Sequence, residues 1–279
     1  LVETDGDIEK AIEVLREKGL AKAAKKASRV ASEGLVTQAF SQDGKKAVIV
    51  EVNSETDFVA KNAEFVEFVN NVAAVALEKS PSDLEGLLAA SYGAEGTVSE
   101  VLQEKISKIG ENLSIRRFES LEAPGTVNVG YIHGGGRIGV VVTLETEASQ
   151  QDVMAVGRDV AMQIASMNPK FISEKDVDPE YLESEKKILM QQAINEGKPA
   201  DIVEKMVVGR LKKELKETCL LEQKFVKDNE VSVGQYVEAA AKSLGKSIVV
   251  KGMVRYEVGE GIEKKEENFA EEVAKQMNS

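Results

Sequence analysis

Residues 126–146 read TVNVGYIHGGGRIGVVVTLET, and residues 35–52 read LVTQAFSQDGKKAVIVEV. In each, two apolar runs are divided by a tight-turn sequence, Gly134, Gly135 and Gly136 in one and Asp43 with Gly44 in the other, the pattern of a β-hairpin. Working outward from the hairpin near the N-terminus, residues 63–77 set Phe65, Val66, Val69, Val72, Ala73 and Ala76 on one helical face. A second helix is expected over 98–109, and IRRFESLE at 115–122 returns as a strand. The hairpin at 126–146 is followed by a helix over 151–167, a long insertion, and a closing strand in KSIVVKGMVRYEV at 246–258. Hairpin, helix, helix, strand in one half matches hairpin, helix, insertion, strand in the other. The order predicts an α+β fold with a duplicated core.

The insertion reads as two charged helices, 178–197 and 199–217, joined by a tight turn at Gly197 to Pro199. Leu182, Leu189 and Ala193 would then face Ile202, Met206, Leu211 and Leu215, and Pro199 suits the first turn of the second helix. At the N-terminus, Ile8, Ala11, Ile12 and Leu15 follow the spacing of one helical face, with Gly19 as a stop and a Lys- and Ala-rich linker helix running on to Arg29. So short a helix is unstable alone and must pack on something. A last helix, ENFAEEVAKQM, is expected after the break at Gly259 and Gly261.

Composition removes several classes of function. The 279 residues carry 36 Lys and Arg against 48 Asp and Glu, a formal charge of −12, with one His, one Cys and no Trp. One Cys forms no intramolecular disulfide, and one His with one Cys builds no His/Cys zinc site. No apolar stretch approaches the ~20 residues that span a bilayer, and no signal peptide pattern opens the chain, so a soluble, cytoplasmic protein is expected. The acidic balance argues against direct nucleic-acid binding. Lys22, Lys25, Lys26 and Arg29 form the one basic stripe, read either as a phosphate-binding patch or, more simply, as a solvated linker helix.

No phosphate-cradling loop, dinucleotide fingerprint, nucleophile elbow, zinc-protease helix or EF-hand loop is present, so no cofactor or metal is expected and the chain reads as a non-enzyme. His133 beside its Gly turn reads as structural or exposed rather than as a general base, and Cys219 as a small apolar packer. The segment that stands out is SETDFVAKN, residues 54–62. In one reading Thr56 or Asp57 caps the following helix and Phe58 packs beneath it. In the other, Phe58 precedes the periodic face that begins at Phe65 and leaves its ring free to enter a partner's groove, as aromatic interface anchors do.

Five phrases, EVNSETDFVAKN (51–62), KIGENLSIRR (108–117), HGGGRIGVVV (133–142), EGKPADIVEKMVVGRLKK (196–213) and RYEVGEGIEKKEENFAEEV (255–273), resemble the elongation factor Ts family over essentially the whole chain. The resemblance implies a guanine nucleotide exchange factor of translation elongation that acts on the GTPase elongation factor Tu in the cytoplasm. It implies an N-terminal ubiquitin-associated-like helical module, incomplete here, with its linker helix over 1–33. The core would comprise one subdomain over 34–124 and another over 125–174 and 222–258, with an inserted helical hairpin over 175–221 and a C-terminal module over 259–279. In the family the phrase at Thr56, Asp57, Phe58 and Val59 is tied to displacing Mg²⁺ from the GTPase, with His133 in the same intrusion. Ile109 and Gly110 are expected to meet the helix near the phosphate loop, and the C-terminal module to hold the nucleotide domain. Family hairpins also mediate dimerisation, so a homodimer is possible. Members carry two further N-terminal helices, and their absence leaves open a binding module that lacks efficient exchange.

Overall fold

The computed structural model describes residues 2–4, 7–197 and 199–263. The expected helix in ENFAEEVAKQM therefore lies outside the described residues, as do the side chains of Ile8, Ala11, Ile12 and Leu15. The fold mixes helices with small sheets, the α+β class, and the chain divides into two compact units. One comprises residues 1–39, 48–119 and 256–279, and the other residues 40–47 and 120–255. Among the described residues no helix is long and apolar enough to cross a membrane.

In the first unit, helix α1 (Ile8–Lys26) is capped by Asp7, whose carboxylate accepts the Lys10 N–H. It runs through Gly19 instead of stopping there: the glycine keeps helical backbone, and a Cβ at that position would make only ordinary contact, 3.7 Å from the Ser107 Oγ of another helix. Strands β1 (Glu33–Phe40), β2 (Lys46–Ser54) and β3 (Ser114–Glu122) form a sheet in the order β1-β2-β3. The central strand is buried from Ala47 to Ser54, and so near-continuous an apolar run is what a strand covered on both faces requires. Thr56 caps a single helical turn, α2 (Asp57–Ala60), and Asn62 caps α3 (Ala63–Lys79).

Helix α3 buries Phe65, Phe68, Val69, Val72, Ala73 and Ala76 against Val48, Val50 and Val52 of β2, a stripe at helical spacing that transfers most of its large side chains out of water. Val66, expected on that face, is only half-buried, and Phe68 takes its place. A short helix α4 (Leu84–Ala89) adds Leu87 to this core. Helix α5 (Val98–Ile109) begins with a reciprocal Thr97–Glu100 capping box and ends at Gly110, whose φ of 90° is the left-handed conformation that closes a helix.

In the second unit, β4 (Thr126–His133) pairs antiparallel with β5 (Ile138–Glu145), from Thr126 opposite Glu145 to His133 opposite Ile138. Helix α6 (Gln150–Met167) approaches β4 so closely that a Cβ at Gly157 would fall 2.7 Å from the Val129 side chain, which explains a glycine in mid-helix. Two helices, α7 (Pro179–Asn195) and α8 (Ala200–Thr218), form the hairpin, with Pro199 at the N-cap position of α8. Its seam differs from the expected one: Ala193 meets Val203 and Val207 with Leu189 beside them, while Ile202 is exposed. Beyond it come β6 (Lys224–Phe225), β7 (Asp228–Ser232), α9 (Val233–Leu244) and β8 (Val249–Glu257), and β8 completes a sheet in the order β4-β5-β8.

Cys219, at the end of α8, is fully buried, and burial together with Glu222 pushes its thiol up to about 11. A thiolate is the reacting species, so at pH 7 the folded chain should label at least about a hundredfold more slowly with a maleimide than the guanidinium-unfolded chain. Equal rates in the two states would contradict this packing.

Candidate interaction site

Strand β2 delivers the chain to the turn at residues 54–59, and a second loop holds that turn in place. The Glu111 carboxylate accepts the N–H groups of Glu55 and Thr56, both at 3.0 Å, and the Thr56 hydroxyl at 2.6 Å. Glu55 replies across the same gap, accepting the Asn112 N–H at 2.5 Å, while the Asn112 amide donates to the Arg29 carbonyl at 2.7 Å. Ser54 Oγ donates to the Thr56 carbonyl at 3.0 Å. Charge-assisted bonds of this kind are the strong ones, and here they occupy the groups that a free turn would give to water. Thr56, not Asp57, is the cap, accepting the Val59 N–H at 3.4 Å.

What the clasp holds is an outward ring. On one turn of helix, Val59 and Ala60 pack against the core of the first unit, and Phe58 faces away with 81% of its surface exposed. The reading in which Phe58 packs beneath the helix is therefore corrected: Val59 does that work. Asp57 is half exposed and lies 2.6 Å from Lys61 one turn on. Ile109 is half-buried against the same core, and Gly110, by capping α5, turns the chain so that Glu111 and Asn112 reach residues 55 and 56. The structure thus brings Thr56 to Val59 and the loop after Ile109 and Gly110 together.

His133 belongs to the second unit. It ends β4 on a turn in which Gly134, Gly135 and Gly136 take φ values of 58°, 64° and 99°, conformations costly for any residue with a Cβ. The imidazole is exposed, with Nδ1 3.0 Å from the Tyr131 hydroxyl. Among the described residues no group of three His, Cys, Asp or Glu is placed to hold a metal ion. Each unit thus carries one exposed ring, Phe58 in the first and His133 in the second.

Glu55, Glu111, Asn112 and Tyr131 were not singled out by sequence reasoning. Glu111 and Asn112 lie within the KIGEN phrase, but the Glu111 partners are up to 56 residues away, beyond any local periodicity.

A family model described as Elongation factor TS matches residues 55–260. Elongation factor Ts of Clostridioides difficile (strain 630) is 56% identical over 277 residues, covering 99% of this chain and 91% of that protein. Those of Clostridium perfringens (strain 13 / Type A) and Clostridium novyi (strain NT) are 56% and 54% identical, over 99% and 100% of this chain and 91% and 92% of theirs. The class is that of the translation elongation factors. Within it, the chain belongs to the elongation factor Ts family.

Proposed function

We propose that this chain is a guanine nucleotide exchange factor: it binds elongation factor Tu carrying GDP, displaces the Mg²⁺ ion of that GTPase, and releases GDP so that GTP rebinds. The single observation that carries the reading is Phe58, 81% exposed on a turn that Glu111 clamps. A flexible aromatic would lose its ordering entropy on docking, whereas a clamped one arrives pre-organised. GDP is held by phosphate-loop donors, a Lys and the metal together. An exchange factor makes and breaks no covalent bond. It binds the nucleotide-free form better than the GDP form, and linkage then lowers GDP affinity by the same factor. A close-packed helix pair cannot admit a ring without shifting, and the shift moves the groups that support the metal and the phosphates.

In this reading Thr56 and Val59 seat the turn, Asp57 faces the metal side, and Ile109 and Gly110 meet the helix beside the phosphate loop. His133 contributes from the second unit. Substitution of an exposed hydrogen-bonding group removes about 0.5–1.5 kcal/mol, so His133→Ala should slow exchange about twofold to tenfold, and an unchanged rate would demote it to a turn residue. The matching sheet orders β1-β2-β3 and β4-β5-β8 support a duplicated core, and the site of action is the cytoplasm, where translation occurs.

The test is release of a fluorescent GDP analogue from elongation factor Tu, chased with unlabelled GDP. Saturable acceleration by this chain supports exchange. Complex formation without acceleration favours a binding module instead. A homodimer through α7 and α8 is a second reading, favoured by exposed Ile188, Met190, Ile194, Ile202 and Val208, and sedimentation equilibrium decides it.

A further inference from the structure

Helix α1 ends against the loop that clamps the Phe58 turn. Ala23, one turn before that end, is buried in the core of the first unit. Half-buried Lys26 follows on the same face, and a Cβ at Gly110 would lie 3.6 Å from its Nζ, so the ammonium stands at the C-terminal end of α5. There the last carbonyls of a helix favour a cation. The backbone then turns, the Arg29 N–H donating to the Lys26 carbonyl at 2.9 Å, and the Arg29 carbonyl meets Asn112.

Three elements come together at Asn112. Its side-chain amide donates to the Arg29 carbonyl at 2.7 Å, its N–H donates to the Glu55 carboxylate at 2.5 Å, and the Arg29 guanidinium stands 3.5 Å from that same carboxylate. Glu111 and Glu55 reach across one gap in opposite directions, each accepting N–H groups of the other's loop, and so tie the two loops to each other. Of the two polar links from these loops to Arg29, the Asn112 amide is the stronger. The guanidinium is 53% exposed and its contact is long, and exposed ion pairs contribute little. The core does not need the amide, because Leu113 on one side of the gap and Val59 and Ala60 on the other make its apolar contacts. What the amide sets is the direction of the loop that carries Glu111.

We propose that Asn112 is a positioning residue for the exchange reaction: by joining the Glu55 and Glu111 clasp to the end of α1, it fixes the orientation in which Phe58 is presented. This deepens the proposed function and rests on it. Asn112 acts through Glu111, the Thr56 turn and the ring. Without its amide the two loops stay tied to each other but lose that attachment to α1, and the ring arrives less pre-organised. The loss falls on the step that the ring drives, so it is felt only where the ring is present.

The experiment uses the full chain with Asn112→Ala. Hydrogen exchange at the Thr56 N–H and, on the α1 side, at the Arg29 N–H should each rise about fivefold, the effect of one net hydrogen bond, with amides of α3 unchanged. The maximal rate of GDP release should fall about fivefold. In a Phe58→Ala background the same substitution should change that rate by less than about twofold, whereas a purely structural role would cost the same factor in both backgrounds. If α3 amides also accelerate, Asn112→Asp decides, since it keeps the shape and the backbone N–H and removes the side-chain donor. Unchanged exchange at Thr56, a parental maximal rate in the deciding variant, or an equal loss with and without the ring each overturns the proposal. Should the parent chain itself fail to speed release, the proposed function falls, and exchange at Thr56 and Arg29 alone decides whether Asn112 ties the turn to α1.

Discussion

Phe58→Ala is expected to reduce the maximal rate of GDP release at least about thirtyfold, the equivalent of the ~2 kcal/mol that marks an interface hot spot, while thermal stability stays within about 0.5 kcal/mol of the parent. Both halves follow from one observation, that four-fifths of the ring is exposed and the core contacts of α2 are made by its neighbours Val59 and Ala60. A substitution that removes a core side chain would cost folding free energy as well. Phe58→Leu should fall between the two, since it keeps apolar bulk but not the flat ring. Release assays paired with thermal unfolding check the prediction. A large drop in melting temperature for Phe58→Ala would mean that the ring belongs to the core, and an unchanged release rate would remove it from the mechanism.

Glu111→Ala is expected to have the second largest effect, and of a different kind. Two backbone N–H groups and the Thr56 hydroxyl lose their shared acceptor, and because the site is half-buried water replaces it only in part. The cost to stability should be about 1–3 kcal/mol. The turn would also lose its fixed geometry, so release should slow about tenfold or more although Phe58 is still present. Glu111→Gln keeps an acceptor and should recover part of both losses. Equal stability of Glu111→Ala and the parent would show that the clasp is dispensable, and full activity would show that the ring needs no pre-organisation.

The two hairpins, the α3 stripe and the limits of α5 were legible because hydrophobic period and turn glycines act over a few residues. Gly19 reads as a stop from its residue type alone, but a glycine in helical backbone does not end a helix, and the Lys- and Ala-rich residues after it carry α1 on to Lys26. On α8 the run from Ile202 to Val208 contains two apolar stripes, one through Ile202 and Met206 and one through Val203 and Val207. The sequence pattern alone does not rank them, whereas the partner Ala193 selects the second. At the site, Thr56 and Asp57 are equally good caps on paper, and the choice is made by Glu111, which binds Thr56 from 55 residues away. Glu51 is one polar residue in an apolar strand, and its partners at Arg116, Arg117 and Gly259 lie too far along the chain for any local pattern to pair them with it.

The central claim is that the chain favours the nucleotide-free GTPase over the GDP form. The most direct measurement is an equilibrium titration of the chain against elongation factor Tu in both states, at fixed Mg²⁺ and salt, beside the GDP affinity of the free GTPase and of the complex. Linkage predicts tighter binding to the nucleotide-free form, by the same factor by which the chain weakens GDP binding, with Phe58→Ala shrinking both ratios together. Equal affinity for the two forms would contradict the account, because a factor that binds both states equally shifts neither.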